Sequence, residues 1–253
     1  MFSVALIGPD GAGKTTIARM LQERSPLPMK YIYMGVNIAA SNFALPTSRL
    51  VEYVRGPSNE GSGASTTEGQ PSHHSERPRR SLGDILWSTG RLANWLADEW
   101  YRQLWSWAYQ SRGYIALYDR HYLFDFTLEN VDLSQEGFHT RLHRWFLTRL
   151  YPRPSLVIYL DAPAEVLFAR KGEKDLKDLE ARRQAFLLLM KTHPNCAVVD
   201  ATQPLSKVYD DVAALVLRFY KMKSRKALPV SQKKTELAPA VPAKGDRASE
   251  SVP

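Results

Sequence analysis

Directly behind the apolar run Phe2–Ile7 the chain reads GPDGAGKTT, residues 8–16, and a helical pattern opens at once after it. No other stretch limits the fold so strongly. Gly8, Gly13, Lys14 and Thr15 satisfy G-x-x-x-x-G-K-[ST]. Glycines between a buried strand and a helix let the backbone take positive φ, so that successive N–H groups converge on phosphate oxygens beside the helix N-terminus. Gly8, Asp10, Gly11, Ala12, Gly13, Lys14, Thr15 and Thr16 are the candidate cofactor-binding residues. Lys14 would neutralise the β and γ phosphates and Thr15 would ligate a metal, so ATP and Mg2+ are the expected cofactors. The competing reading is a glycine-rich structural turn.

The rest of the chain alternates strand and helix. FSVALIG, MKYIYMG, YIALYDR, SLVIYLDAP and CAVVDAT are five strand-like runs, apolar nearly throughout, with helix candidates between them. Strands of that kind lie in a parallel sheet covered on both faces, which makes the class α/β. Leu82–Arg112 is one long helical pattern in which Leu92, Trp95, Leu96, Trp100, Leu104 and Trp107 recur every three or four residues. Such a stripe serves a core or an interface rather than a cofactor.

Two stretches lack the apolar residues needed to offset ordering entropy. Residues 57–80 are rich in Ser, Gly, Pro and charge, and residues 224–253 mix Pro, Ala and Lys without periodicity. They read as a disordered inserted loop and a disordered tail on one folded domain, residues 1–223. His73 and His74 lie in that loop without a carboxylate or cysteine at ligand spacing, so solvated loop is preferred to a metal site. The lone Cys196 excludes an internal disulfide and a four-cysteine zinc site. No basic n-region precedes the first glycine turn and no apolar run reaches membrane-spanning length, so a cytoplasmic protein is expected. Net charge is +8, of which the last thirty residues hold +3. The remaining excess suits small acidic ligands, and neither nucleic acid nor membrane is an expected partner.

Several motifs together resemble the thymidylate kinases and their deoxynucleoside-kinase relatives. Asp10 stands in the glycine stretch where that family carries an acid, and ILWSTGR (85–91) looks like its L-L-F-x-A-x-R helix. YDRHY (118–122) looks like D-R-[YH], YLDAPAEVLFARK (159–171) like the stretch into the lid, and VVDATQPLSKVYDDV like the C-terminal segment near the adenine. The resemblance runs from residue 2 to about 220. It implies a P-loop three-layer α/β/α sandwich with a helical lid, and an ATP-dependent transfer of the γ-phosphoryl to dTMP or a similar acceptor. A homodimer is also common in that family.

The resemblance further implies roles. Asp119 would hold Mg2+ or orient the attacking oxygen, and Arg120 would clamp the acceptor phosphate. Trp87 and Arg91 would hold the acceptor base, with Asp10 facing the acceptor, and Arg170, Lys171 and Lys174 would close as lid cations. Glu173, Lys177 and Glu180 are expected to face water. The catalytic set is therefore Lys14, Asp119, Arg120 and Arg170. Where the family has R-E-P-G-G-T this chain has YMGVNIAAS, the lid is short, and the 57–80 loop stands just ahead of the acceptor helix. All three departures fall on the acceptor side. A sugar or lipid-linked acceptor, or a nucleotide-binding protein without turnover, remain the alternatives.

Overall fold

A computed structural model describes residues 1–35, 41–49, 82–127, 138–172, 175–192 and 194–227. The predicted loop 57–80 and residues 228–253 of the predicted tail lie outside the described residues. The chain divides into Met1–Val216, which holds the sheet, and Leu217–Pro253.

Five strands are present: β1 (Ser3–Ile7), β2 (Met29–Tyr33), β3 (Ile115–Asp119), β4 (Leu156–Asp161) and β5 (Cys196–Asp200). Helices α1 (Lys14–Arg24), α2 (Leu82–Ser111), α3 (Tyr122–Thr127), α4 (Phe138–Arg149), α5 (Ala164–Lys171), α6 (Leu176–Thr192) and α7 (Leu205–Ala227) alternate with them. A helical turn also occupies 46–49. Helix α7 runs three residues past Ser224, where the sequence places the start of the tail.

The fold is α/β, with one all-parallel sheet in the order β2-β3-β1-β4-β5 flanked by helices. The order is readable in burial. Every residue of β1 and β3 is buried, as are the first five of β4, because these strands have neighbours on both edges and helices on both faces. The outer strands carry the polar positions, Lys30 and Tyr31 in β2 and both ends of β5. Ala5, Ile7, Ile32, Ala116, Tyr118, Val157 and Tyr159 share one face and form the main core with Leu147 of α4 and Phe186 and Met190 of α6. Alternation sends Val4, Leu6 and Leu117 to the other face, where α1 packs over β1, β2 and β3.

The connections leaving β1 and β4 run to opposite sides of the sheet, towards β2 and β5. Parallel sheets open a crevice at the carboxyl ends of such a pair. The glycine turn leaves β1 there.

Helix α2 takes only part of its stripe into the core, and the rest faces outward as an interface stripe would. Leu92 is buried, but Trp95, Leu104 and Trp107 are exposed, and the inward positions belong to Asp98, Glu99, Arg102, Gln103 and Ser106. These polar side chains go inside because each finds a partner there. Arg102 pairs with Asp98 and donates to the carbonyls of Gly35 (2.8 Å) and Tyr33 (3.3 Å). Asp98 accepts from the Leu45 amide (2.9 Å), Glu99 meets His143 (2.8 Å), and Ser106 meets the Tyr118 hydroxyl (2.6 Å). Unpartnered, such groups would cost several kcal/mol each, roughly 3–5 for a broken buried ion pair. With these partners made, Trp95 and Trp107 face outward while Trp100 and Trp105 stay half-buried. No helix among the described residues is long and apolar enough to cross a membrane.

Candidate active site at the carboxyl ends of the strands

The turn after β1 is built on glycine conformations. Gly11 and Gly13 both have φ of 87°, left-handed backbone that a side chain rarely tolerates. Gly8 is confined by contact as well, since a Cβ there would lie 2.6 Å from the Leu160 carbonyl oxygen of β4. The Ala12 amide returns to the Pro9 carbonyl (3.3 Å), and Gly13 hands the chain to α1 without a side-chain cap. The first-turn amides of α1 therefore face the crevice without a capping side chain, at the positive end of the helix dipole.

Lys14 is buried, and its ammonium folds back over the turn to donate to the Pro9 carbonyl (2.7 Å), 3.8 Å from the Asp10 carboxylate. Thr15 and Thr16 are exposed on the first turn of α1. The Thr15 hydroxyl donates to Asp119 Oδ2 at 2.6 Å. Asp119 closes β3, the strand next to β2 in the sheet, and is fully buried. The Tyr31 hydroxyl, from β2, donates to the same Oδ2 at 2.9 Å. The other oxygen, Oδ1, is buried with no hydrogen-bond partner. Burial, followed by the charge of Asp119, pushes the Tyr31 phenol well above its usual range, so it stays a donor.

Arg120 follows with φ of 68°, the left-handed region again, while its amide still bonds the Leu6 carbonyl (3.0 Å). For a residue with a Cβ that conformation costs on the order of 1–3 kcal/mol, and it re-aims the guanidinium out of the β3 line towards the turn. There it pairs with Asp10. Burial alone would raise the Asp10 carboxyl, but Arg120 and Lys14 outweigh it and hold the acid well below the carboxylate range. Gly35, after β2, makes room for this: a Cβ would fall 2.6 Å from both Arg120 Cδ and the Tyr33 hydroxyl.

On the far side of the turn Arg170, near the end of α5, donates to the Gly11 carbonyl (3.4 Å) and to Ala201 just past β5 (3.0 Å). Lys171 is exposed beside it. Arg183 of α6 grips Asp161 at the end of β4 through two hydrogen bonds (2.8 and 2.9 Å) and reaches Glu180 at 3.4 Å. Lys177 is exposed, and Glu180 is half-buried rather than fully in water.

The structure thus gathers Asp10, Lys14, Thr15, Asp119 and Arg120 at one crevice, with Arg170 reaching the turn from the β5 side. Trp87 and Arg91 lie on α2, but their side chains are outside the described residues, as are Glu173 and Lys174. Tyr31, Arg102 and Arg183 escape a sequence reading. Tyr31 carried one usable signal, its period-two alternation with Tyr33 in β2. Arg102 carried another, the Asp98-x-x-x-Arg102 spacing of one helical turn.

No protein-family model matches the chain, and no curated protein matches it.

Proposed function

We propose that the chain is a P-loop kinase of thymidylate kinase-like type, which transfers the γ-phosphoryl group of ATP to an oxygen of a nucleoside monophosphate such as dTMP, or of a related acceptor. The observation that carries this reading is the 2.6 Å contact of Thr15 with Asp119, whose second carboxylate oxygen is buried without a partner. A hydroxyl on the first helical turn and a strand-end carboxylate are hard oxygen donors. They suit Mg2+, which keeps several of its own waters and needs few protein ligands. Thr15 and Asp119 are therefore the pair that would hold it.

The metal, when bound, would draw charge from the bridging phosphate oxygens. The chain's own residues supply position and field. The first-turn amides of α1 would donate to the phosphates, and Lys14 would exchange the Pro9 carbonyl for phosphate oxygens. Tyr31 keeps Asp119 turned towards Thr15. Arg120 exchanges Asp10 for the acceptor's phosphate, a trade its planar fork is shaped for. Arg170, which already reaches the Gly11 carbonyl, and the neighbouring Lys171 serve as lid cations over the turn. Transfer of this kind depends on alignment and charge rather than on a covalent enzyme intermediate.

The test is release of ADP from Mg2+ and ATP in the presence of an acceptor panel containing nucleoside monophosphates, sugars and lipid-linked intermediates. Activity with one acceptor class that is lost in Lys14→Ala supports the reading and names the acceptor. ATP that binds yet never turns over points instead to a regulatory nucleotide-binding protein. ATP that does not associate at millimolar concentration overturns both.

A further inference from the structure

Helix α4 shows an outward stripe that the proposed kinase chemistry does not use. Phe138, Arg141, Trp145 and Arg149 recur at intervals of three, four and four residues, which places them on one face of the helix. All four are exposed, Phe138 at 69% and Trp145 at 50%. Leu150, 48% exposed, and the exposed Arg153 extend the pattern beyond the helix. The inner face cannot turn outward, because Leu147 is buried in the main core and His143 is held by Glu99 and stacks near Trp95 (5.6 Å). The stripe is therefore fixed in place.

Its charge has one sign. Residues 138–155 contain Arg141, Arg144, Arg149 and Arg153 and no Asp or Glu. On the adjoining helix α2 the two acids between residues 89 and 111, Asp98 and Glu99, are both buried, while Leu104 and Trp107 are exposed. Large apolar side chains among arginines, with no acid in residues 138–155, suit a partner that offers low polarity and negative charge at the same depth.

We propose that the outward face of α4 docks on a bilayer surface containing anionic lipid. At the headgroup level an indole and a phenyl ring sit at the edge of the hydrocarbon while guanidinium groups meet lipid phosphates. A duplex nucleic acid would satisfy the arginines but leave Phe138 and Leu150 in water. The attachment is peripheral and reversible, as expected of a helix only about 18 Å long.

The experiment is co-sedimentation of the full chain with phosphatidylcholine vesicles, with and without phosphatidylglycerol, at low and high salt. Binding is expected only with the anionic lipid and should fall as salt rises. Arg141→Glu with Arg149→Glu should weaken it by about 25-fold or more, from the roughly fivefold contribution of each cation near such a surface. Phe138→Ser with Trp145→Ser should weaken it at every salt concentration. Circular dichroism confirms that both variants are folded. The idea is overturned by absence of binding to anionic vesicles at low salt. Equal binding of the variants and the parent also overturns it, since the Lys-rich residues 224–253 would then be responsible. Retention of the parent chain on immobilised duplex DNA without binding to vesicles overturns it as well. None of these residues belongs to the candidate active site, so the outcome is independent of whether ATP is turned over.

Discussion

Thr15 and Asp119 lie 104 positions apart in the chain and 2.6 Å apart in space, one opening α1 and the other closing β3. The pairing of β1 with β3 brings them together, since Leu6 stands opposite Asp119 in the parallel register. Exchange of Asp119 for Asn would keep the shape and remove the charge. Under the kinase reading it should lower kcat on the order of 10²–10³-fold and weaken the dependence of ATP binding on Mg2+, as calorimetry with and without the metal would show. Thr15→Ser should retain most activity. An unchanged Mg2+ dependence in Asp119→Asn would remove Asp119 from the metal site.

Tyr31→Phe deletes one of the two donors to Asp119 Oδ2. Hydrogen bonds to charged groups contribute roughly 1.5–3 kcal/mol, so urea unfolding should show a loss in that range. A smaller change would mean that water replaces the phenol.

Acid titration isolates Asp10. Its carboxyl is depressed in the folded state, so the stability it contributes is complete above the ordinary carboxylate range near pH 4 and is lost as pH falls below it towards the folded value. The difference in unfolding free energy between the parent and Asp10→Asn should therefore be constant from pH 7 to about pH 5 and shrink below about pH 4. A difference that stays flat down to pH 2 would show that Arg120 does not hold Asp10 in solution.

Arg102 is the most testable member of the buried network. Arg102→Leu leaves Asp98 buried without its partner and should cost about 3–5 kcal/mol, whereas the double variant Arg102→Leu with Asp98→Leu should recover much of that. Equal losses in the single and double variants would locate the effect in the Tyr33 and Gly35 carbonyls instead.

Gly35→Ala tests the packing beneath Arg120. The added Cβ must displace the arginine stem or the Tyr33 ring. Under the kinase reading KM for the acceptor should rise while ATP affinity is retained, and a loss confined to ATP would contradict the placement of Arg120 on the acceptor side.

Much of this was legible in the chain itself, for local reasons. The five strands and the long α2 follow from apolar runs and three-to-four-residue spacing, and the glycine turn follows from a motif whose φ angles only glycine supplies readily. Asp119 was legible as a strand-end acid. The tertiary structure alone decided which side chains meet. Strand order put Tyr31 against Asp119, because a parallel neighbour is chosen by crossovers that sequence spacing does not encode. Partner availability turned α2 over, burying Asp98, Glu99 and Arg102 and exposing Trp95, Leu104 and Trp107, because a buried charge costs more than an exposed indole unless distant carbonyls and a histidine satisfy it. Periodicity reports that a helix has two faces. Only the assembled partners decide which of them is inside.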